Sequence, residues 1–266
     1  MHRIGLSTAR RVLALALLAL TLSALLAGAA GAARVTVRIE GASRTRLAPT
    51  VVTIGTGTSN ARTWNGSGSL PNTCADDTAY QAIELATSGS WDRGLYAEQI
   101  LSETHTFASG SEYWIPYHDN NYADWGICDL HLQDGDTLLM QAGVSGASPS
   151  YIPDSVPIAL ARIGTGNIAP GGRLTVRLTA WVPSDIFGTQ DPGDPNHYII
   201  PPSDETHPAG YTVTAGSASG RTDSNGEVTL TMRDTGRVSV QANMPGSSTN
   251  WSRSVPFTVC VSRTSC

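Results

Sequence analysis

Apolar and polar residues alternate in short runs along most of the chain, which is the pattern of half-buried β-strands. In the first part of the chain this alternation predicts strands at 35–39, 51–54, 96–101, 113–117 and 137–141. The stretch 55–73, rich in Gly, Ser, Asn and Thr, predicts a loop. The turn Asp134-Gly135-Asp136 predicts a hairpin, because glycine accepts the positive φ that such a turn requires.

One segment has a helical period instead. Its small and apolar residues follow the spacing i, i+3, i+4 and i+7, at Ala79, Ala82, Ile83 and Ala86. The predicted helix runs from 76 to 88, with two aspartates at its positive end and Gly89 ending it in a left-handed conformation. One helix among several strands predicts a small α+β sheet with the helix covering one face.

The last hundred or so residues have only the strand pattern. Apolar residues alternate in 174–180, 228–232, 238–242 and 255–261, and turn residues separate these runs, as in a sandwich of two sheets. In the last run Cys260 lies on the outward phase. The stretch 183–210, rich in Asp, His and Pro, interrupts the alternation and predicts an inserted loop.

The beginning of the chain has the features of a signal peptide. Arg3, Arg10 and Arg11 precede an apolar run at 12–20, and small residues at 30–33 fit a cleavage site. We therefore predict a secreted protein that is extracellular or loosely associated with the cell envelope. The predicted division is a signal peptide at 1–33, a first domain at 34–146, a linker at 147–157, a second domain at 158–262 and a tail at 263–266.

The charge balance excludes some classes of partner. The chain has 17 positive and 22 acidic residues, and no positive residue is lysine. Without the three arginines of the signal peptide, 14 positive residues face 22 acidic ones, a net charge of −8. Such a chain has no cationic excess for nucleic acid. A hydrophobic content of 40% argues against disorder, and no membrane segment is expected after cleavage.

The four cysteines allow three pairings. Export predicts that they are oxidised. We expect disulfides between Cys74 and Cys128 and between Cys260 and Cys266, because each of these pairs lies within one predicted domain.

Several motifs of the first part suggest a family. These are "LAPT" at 47–50, Tyr113-Trp114, the turn at 119–121, "GIC" at 126–128 and "LQDGDTL" at 132–138. Together they resemble the domain of unknown function named for the C-terminal domain of transcobalamin, over about 34–143. Asn120-Asn121 stands where Asn-Gly is common in that family. The resemblance implies a β-grasp-like module and, in many exported bacterial proteins, a disulfide at the positions of Cys74 and Cys128.

The second part is similar to a bacterial immunoglobulin-like domain. The similarity is carried by "TDSNG" at 222–226 and by Arg253-Ser254-Val255 before the last strand. The expected fold is therefore an α+β β-grasp-like domain with one main helix, followed by an all-β immunoglobulin-like sandwich. The whole chain is expected to be mainly β.

Candidate binding residues cluster in the aromatic hairpin of the first part, because aromatic rings on turns stack on sugars or fill a protein partner's pocket. They are Tyr113, Trp114, Tyr117, Asn120, Asn121, Tyr122 and Trp125, and of these Tyr122 and Trp125 are the ones expected to be exposed.

No metal or cofactor is expected. If a metal ion is bound, two groups of residues are the candidates for its site. The acidic residues Asp191, Asp194, Asp204 and Glu205 are the candidates for calcium, which prefers oxygen ligands. His118, Asp119, Asp129 and His131 are a second group, for which surface histidines are the favoured interpretation.

These patterns predict an exported, non-enzymatic binding or cell-surface structural protein. Its partner would be an extracellular glycan, protein or small molecule. The chain has no G-x-S-x-G nucleophile motif. Two alternatives stay open. One is an extracellular carbohydrate-active enzyme that uses carboxylates such as Glu112 and Asp119. The other is a corrinoid-binding module, although the chain lacks a second, helical domain that would help to enclose the corrinoid.

Overall fold

The computed structural model describes residues 32–55, 58–60, 73–94, 96–106, 112–123, 126–146, 151–192, 194–244, 247–264 and 266. The predicted signal peptide lies outside the described residues except for its last two positions. The first part contains, in order, β1 (Ala33–Glu40), β2 (Thr45–Ile54), β3 (Thr58–Asn60), β4 (Thr73–Ala75), α1 (Ala79–Ala86), β5 (Gln99–Ile100), β6 (Glu103–Thr104), β7 (Glu112–His118), β8 (Asn121–Tyr122) and β9 (Thr137–Val144).

A five-stranded sheet with the order β2-β1-β9-β7-β8 forms the centre of the first part. Its central pair, β1 and β9, is parallel, and its other neighbours are antiparallel. Alternate residues of β1 and β9, such as Val37 and Met140, face α1 and are almost fully buried. The described residues are thus mainly β, as expected, with α1 as their one helix.

Helix α1 is shorter than predicted at both ends. It begins after Thr78, whose hydroxyl donates to the carbonyl of Ala75 instead of capping the helix. The two aspartates therefore lie before the first turn. At the other end Gly89 has a φ of +75°, and its N–H donates to the carbonyl of Glu84 at 2.9 Å. The helix therefore ends in a left-handed conformation, but this begins one residue before the predicted Gly89, at Ser88, whose φ is +51°.

Three local predictions are wrong. The turn at 134–136 does not form a hairpin, because β9 inserts between β1 and β7 and does not pair with the preceding strand, β8. The predicted loop 55–73 contains β3 and the start of β4, which pair with each other. The predicted strand 96–101 is reduced to β5, because positive φ angles at Leu101 and Ser102 turn the chain into β6.

The second part contains only strands among its described elements. They are β10 (Ile158–Ile163), β11 (Arg173–Val182), β12 (Thr189–Asp191), β13 (Asp194–Ile199), β14 (Asp204–Thr206), β15 (Thr212–Ala215), β16 (Ala218–Arg221), β17 (Glu227–Thr231), β18 (Gly236–Asn243) and β19 (Phe257–Val261). In one sheet β11 pairs with β10, β14 and β17, and the other sheet has the order β16-β15-β18-β19.

The predicted inward positions of these strands form one shared core. Val176, Leu178, Val240 and Val261 are fully buried in it. The last strand begins later than predicted, at Phe257, and Val255 is 42% exposed. The predicted inserted loop 183–210 is partly regular, because it contains the hairpin of β12 and β13 and the short strand β14.

Both expected disulfides are present, between Cys74 and Cys128 and between Cys260 and Cys266. The first joins the β3–β4 hairpin to the segment after β8, and the second joins β19 to the last residue of the chain. Among the described residues, no helix has the length and apolar character that a membrane crossing needs.

The second part of the chain covers the face of the first sheet that is opposite α1. Ile115, Tyr117 and Tyr122 form a buried cluster there with Ile186 of the inserted loop. Ile152 and Ile200 pack against the same cluster. The inserted loop and the segment that follows residue 150 therefore help to close this sheet.

Candidate functional site

The predicted aromatic hairpin is present as β7, a tight turn and β8. Asp119 and Asn120 form the turn with φ angles of +48° and +66°, which is the backbone that a two-residue hairpin connection requires. Asparagine and aspartate tolerate this left-handed region. The predicted tight turn is therefore present, but its two central residues are Asp119 and Asn120, and Asn121 already belongs to β8.

The aromatic side chains of this hairpin point into the protein. Tyr117 is 0% exposed and Tyr122 is 8% exposed, and their rings meet edge to face at 6.1 Å. The expectation that Tyr122 is exposed is therefore wrong. The Tyr117 hydroxyl donates to the carbonyl of Ser155 at 2.7 Å, and desolvation raises the pKa of Tyr117 well above 10. Tyr113 packs against the same cluster.

Two other candidate residues of the hairpin also contact the protein itself. Trp114 lies on the opposite face of β7, is 4% exposed, and meets the ring of His105 edge to face at 5.0 Å. Asn121 accepts a hydrogen bond from the backbone N–H of Ser203 through its Oδ1 at 2.9 Å. Trp125, the remaining aromatic candidate, lies outside the described residues. The described part of the hairpin therefore binds the second part of the chain, which leaves little of it for a ligand.

The structure separates the four residues of the second candidate metal group. His118 and Asp119 lie together, but their third neighbour is Asp136. His131 instead pairs with Asp77 at 3.0 Å. Sequence reasoning missed Asp136 because it lies in a turn 18 residues away, which the antiparallel register of β7 and β9 brings beside His118.

The calcium candidates lie on two separate strand pairs. Asp191 and Asp194 face each other across the β12–β13 hairpin, and their side chains lie outside the described part. Asp204 and Glu205 are exposed on β14, which pairs with the end of β11.

A buried charged cluster, which the sequence did not indicate, joins the two parts of the chain. Glu40 is 0% exposed and contacts Arg38 at 2.7 Å and Arg253 of the second part at 3.0 Å. Burial lowers the pKa of Arg38 below the ordinary value of an arginine, although Glu40 opposes this effect. One carboxylate is thus shared by two guanidinium groups inside a contact between the two parts.

His105 is a second buried polar residue at the contact between the two parts. Its ring is 6% exposed and contacts the carboxylates of Glu103 at 2.9 Å and Glu112 at 3.1 Å. The ring of Trp251, from the second part, packs against it at 5.5 Å. Glu112, one of the two carboxylates considered for catalysis, is thus engaged by His105. The other, Asp119, accepts hydrogen bonds from the backbone and the hydroxyl of Thr137.

A cleft of about 410 Å³ lies between residues 152–156 and the first sheet of the second part. We call it the linker cleft. Ile152, Val156 and Val182 contribute apolar surface to it, and Asp154, Thr206 and Asn250 contribute polar groups. Asn250 is held in place because its Nδ2 donates to the hydroxyl of Tyr211 at 3.1 Å.

An exposed aromatic pair stands next in sequence to the linker cleft. Tyr151 precedes the cleft residue Ile152 and is 41% exposed, and Phe187 is 52% exposed. Their rings meet edge to face at 5.9 Å. The N–H of Phe187 donates to the Asp185 carboxylate at 2.9 Å, which holds the backbone of the inserted loop at this point. Neither ring was predicted as a binding residue, because neither lies in the aromatic hairpin.

Comparison with known proteins gives no further assignment. No family model matches the chain, and no curated protein matches it.

Proposed function

We propose that this chain is an exported, non-enzymatic protein that binds an extracellular glycan at the linker cleft. The exposed pair of Tyr151 and Phe187 carries this proposal. Two exposed aromatic rings that pack against each other form an apolar surface patch, and such a patch favours a binding role. The first sheet and its helix act as structural support, because their aromatic hairpin is used for contacts within the chain.

The chemistry of the cleft suits a neutral, hydroxyl-rich ligand. Its volume of about 410 Å³ lies within the range of small-molecule sites. The rings of Tyr151 and Phe187 offer apolar surface to the C–H faces of a sugar, as aromatic side chains do at many interfaces. Asp154, Thr206 and Asn250 offer hydrogen-bonding groups for sugar hydroxyls.

The fold supports the two domain assignments made from the sequence. A sheet of order β2-β1-β9-β7-β8 with a parallel central pair and one packed helix supports the β-grasp-like assignment of the first part. Two four-stranded sheets around a common core support the immunoglobulin-like assignment of the second part. Two disulfides are compatible with an extracellular protein, where oxidised cysteines persist.

The test is an array of defined oligosaccharides probed with the wild-type protein and with Phe187→Ala. We expect wild-type binding to a discrete set of glycans and at least tenfold weaker binding by the variant, because truncation of a central aromatic anchor commonly has such an effect. Tyr96→Ala is the matched control, since Tyr96 is an aromatic residue of the first part that is 58% exposed.

Three results would contradict the proposal. Equal glycan binding by Phe187→Ala and the wild type would remove the aromatic pair from the site. Release of shortened glycans, abolished by Glu112→Gln or Asp119→Asn, would indicate an enzyme. A change in the absorption spectrum of added cobalamin, with no glycan bound, would indicate a corrinoid module.

A further inference from the structure

We propose that His118, Asp119 and Asp136 form a zinc-binding site at the tip of the β7–β8 hairpin. Each of the three residues offers one ligand atom, and these atoms lie within 4.8 Å of one another. The site is separate from the linker cleft and does not depend on the proposed glycan binding.

The His118 imidazole lies close to both carboxylates. His118 Nε2 lies 2.7 Å from Asp136 Oδ2 and 3.6 Å from Asp119 Oδ2. Zinc binds nitrogen and oxygen ligands at about 2.0–2.2 Å in a tetrahedral arrangement, which places neighbouring ligand atoms about 3.3 Å apart. The 2.7 Å distance is that of a hydrogen bond, so a zinc ion would replace the shared proton, and small side-chain rotations would move these two atoms apart.

Backbone and hydroxyl groups hold both carboxylates in place. Asp119 Oδ1 accepts hydrogen bonds from the N–H of Thr137 at 2.8 Å and from its hydroxyl at 2.9 Å. This leaves Oδ2 of Asp119 directed at the imidazole. Asp136 Oδ2 also accepts from the N–H of Gln133 at 2.8 Å. Such supporting hydrogen bonds orient metal ligands and lower the cost of binding.

Of the two carboxylates, only that of Asp136 lies within hydrogen-bonding distance of His118. Two carboxylate oxygens approach the same nitrogen of His118, and this nitrogen carries at most one proton. Only one carboxylate can therefore accept a hydrogen bond from it. A divalent cation would accept electron pairs from all three groups at once and would offset both negative charges.

The donor set favours zinc over calcium. Imidazole nitrogen is a preferred ligand of zinc, whereas calcium takes six to eight oxygen ligands. Three protein ligands leave a fourth position of the tetrahedron to water. The His118 and Asp119 side chains are 32% and 49% exposed, so an ion and its water can reach the site from solvent.

The test is isothermal titration of the metal-free, tag-free exported chain with zinc chloride, and with calcium chloride in parallel. We expect one zinc ion per chain and no saturable calcium binding. The variants Asp119→Asn and His118→Gln should bind zinc at least tenfold more weakly, because each loses one ligand. A zinc concentration one hundred times the Kd should raise the Tm of the wild type by about 5–10 °C.

His131→Gln and Asp129→Asn are matched controls, since both are exposed side chains of the same residue types outside the cluster. They should bind zinc as the wild type does. Circular dichroism without zinc checks the fold, and Asp119→Asn keeps the oxygen that accepts from Thr137. The proposal is overturned if the wild type shows no saturable zinc binding up to 1 mM, or if the cluster variants bind zinc as tightly as the wild type. It is also overturned if the His131 or Asp129 variant loses binding to the same extent.

Discussion

At the scale of single residues, the burial of a polar aromatic side chain has the clearest consequences. Tyr117 is fully buried at the contact between the two parts of the chain, and its hydroxyl has a definite acceptor in the carbonyl of Ser155. A buried hydroxyl needs such a partner because leaving it unsatisfied is costly. Tyr117 therefore connects the first sheet to the segment that precedes β10.

The substitution Tyr117→Phe tests this connection. We expect a loss of about 1–2 kcal/mol in the free energy of unfolding, because the Ser155 carbonyl would stay buried without its donor. Urea unfolding followed by tryptophan fluorescence measures the change. Tyr96→Phe, at a side chain that is 58% exposed, should change the unfolding free energy by less than about 0.5 kcal/mol. Equal effects of the two substitutions would show that the buried hydrogen bond contributes nothing.

The same residue predicts a dependence on alkaline pH. Desolvation raises the pKa of Tyr117 well above 10 in the folded state. Above pH 10 the unfolded chain loses this proton while the folded chain keeps it, so the free energy of unfolding falls as pH rises. Above pH 10 the free energy of unfolding should therefore fall less steeply for Tyr117→Phe than for the wild type. The two slopes should differ by up to about 1.4 kcal/mol per pH unit. Identical slopes for the two proteins would contradict the assignment.

At the scale of elements, the position of β9 organises the first part. Its apolar residues Leu138, Met140 and Ala142 face the helix, and β9 lies between β1 and β7. The opposite side of β9 carries Leu139 and Gln141, which face the second part. Both faces of this central strand are therefore covered. The strand is longer than the predicted 137–141 because residues 142–144 pair with residues 112–114 of β7.

The end of α1 gives a prediction at this scale. Gly89 has a φ of +75°, and a Cβ added there would lie 2.5 Å from Nη2 of Arg93. Gly89→Ala should therefore lower the free energy of unfolding by about 1–2 kcal/mol, through backbone strain and displacement of Arg93 from Glu84. Chemical unfolding measures it. Gly94→Ala is the control, because its Cβ would meet nothing closer than 3.4 Å, and it should have the smaller effect. If Gly89→Ala left the free energy of unfolding unchanged, the left-handed conformation at Gly89 would not be needed for stability.

At the scale of the whole molecule, the contact between the two parts combines apolar and charged groups. The apolar portion is the cluster around Tyr117 and Ile186. The charged portion is Glu40 with its two arginines, and the ring of Trp251 lies close by against His105. A buried carboxylate between two guanidinium groups is costly to disturb, because the remaining charges cannot reach water.

Glu40→Gln tests the charged portion. We expect a loss of about 3–5 kcal/mol in the free energy of unfolding, since two buried arginines would lose their counter-charge while the side-chain volume is unchanged. The matched control is Glu227→Gln, which removes the carboxylate of an exposed pair with Arg177 and should cost less than about 1 kcal/mol. Guanidinium chloride unfolding of both variants compares them. Losses of similar size would mean that burial does not strengthen the Glu40 contacts.

Local patterns predicted much of the fold. The alternating residues of β11, β17 and β18 are buried where they were expected, and both disulfides pair as expected. Strand pairing was harder to predict, because the turn at 134–136 has the composition of a hairpin turn whether or not the strands on its two sides pair. The candidate site was predicted least well. The order of aromatic residues in the hairpin is the same whether their rings face solvent or the core, so the sequence does not show which way they point.

Residue patterns along the chain were enough to predict the mainly β character, the single described helix and its left-handed ending, and, with the division into two parts, the cysteine pairing. These features depend on periodicity, on local backbone preferences and on each cysteine pair lying within one part of the chain. The position of β9 between β1 and β7, the contact of Glu40 with Arg253 and the meeting of Asp136 with His118 and Asp119 became visible only in the folded chain. These contacts join residues of different segments, and which of them form depends on strand order and register and on which faces the sheets bury together.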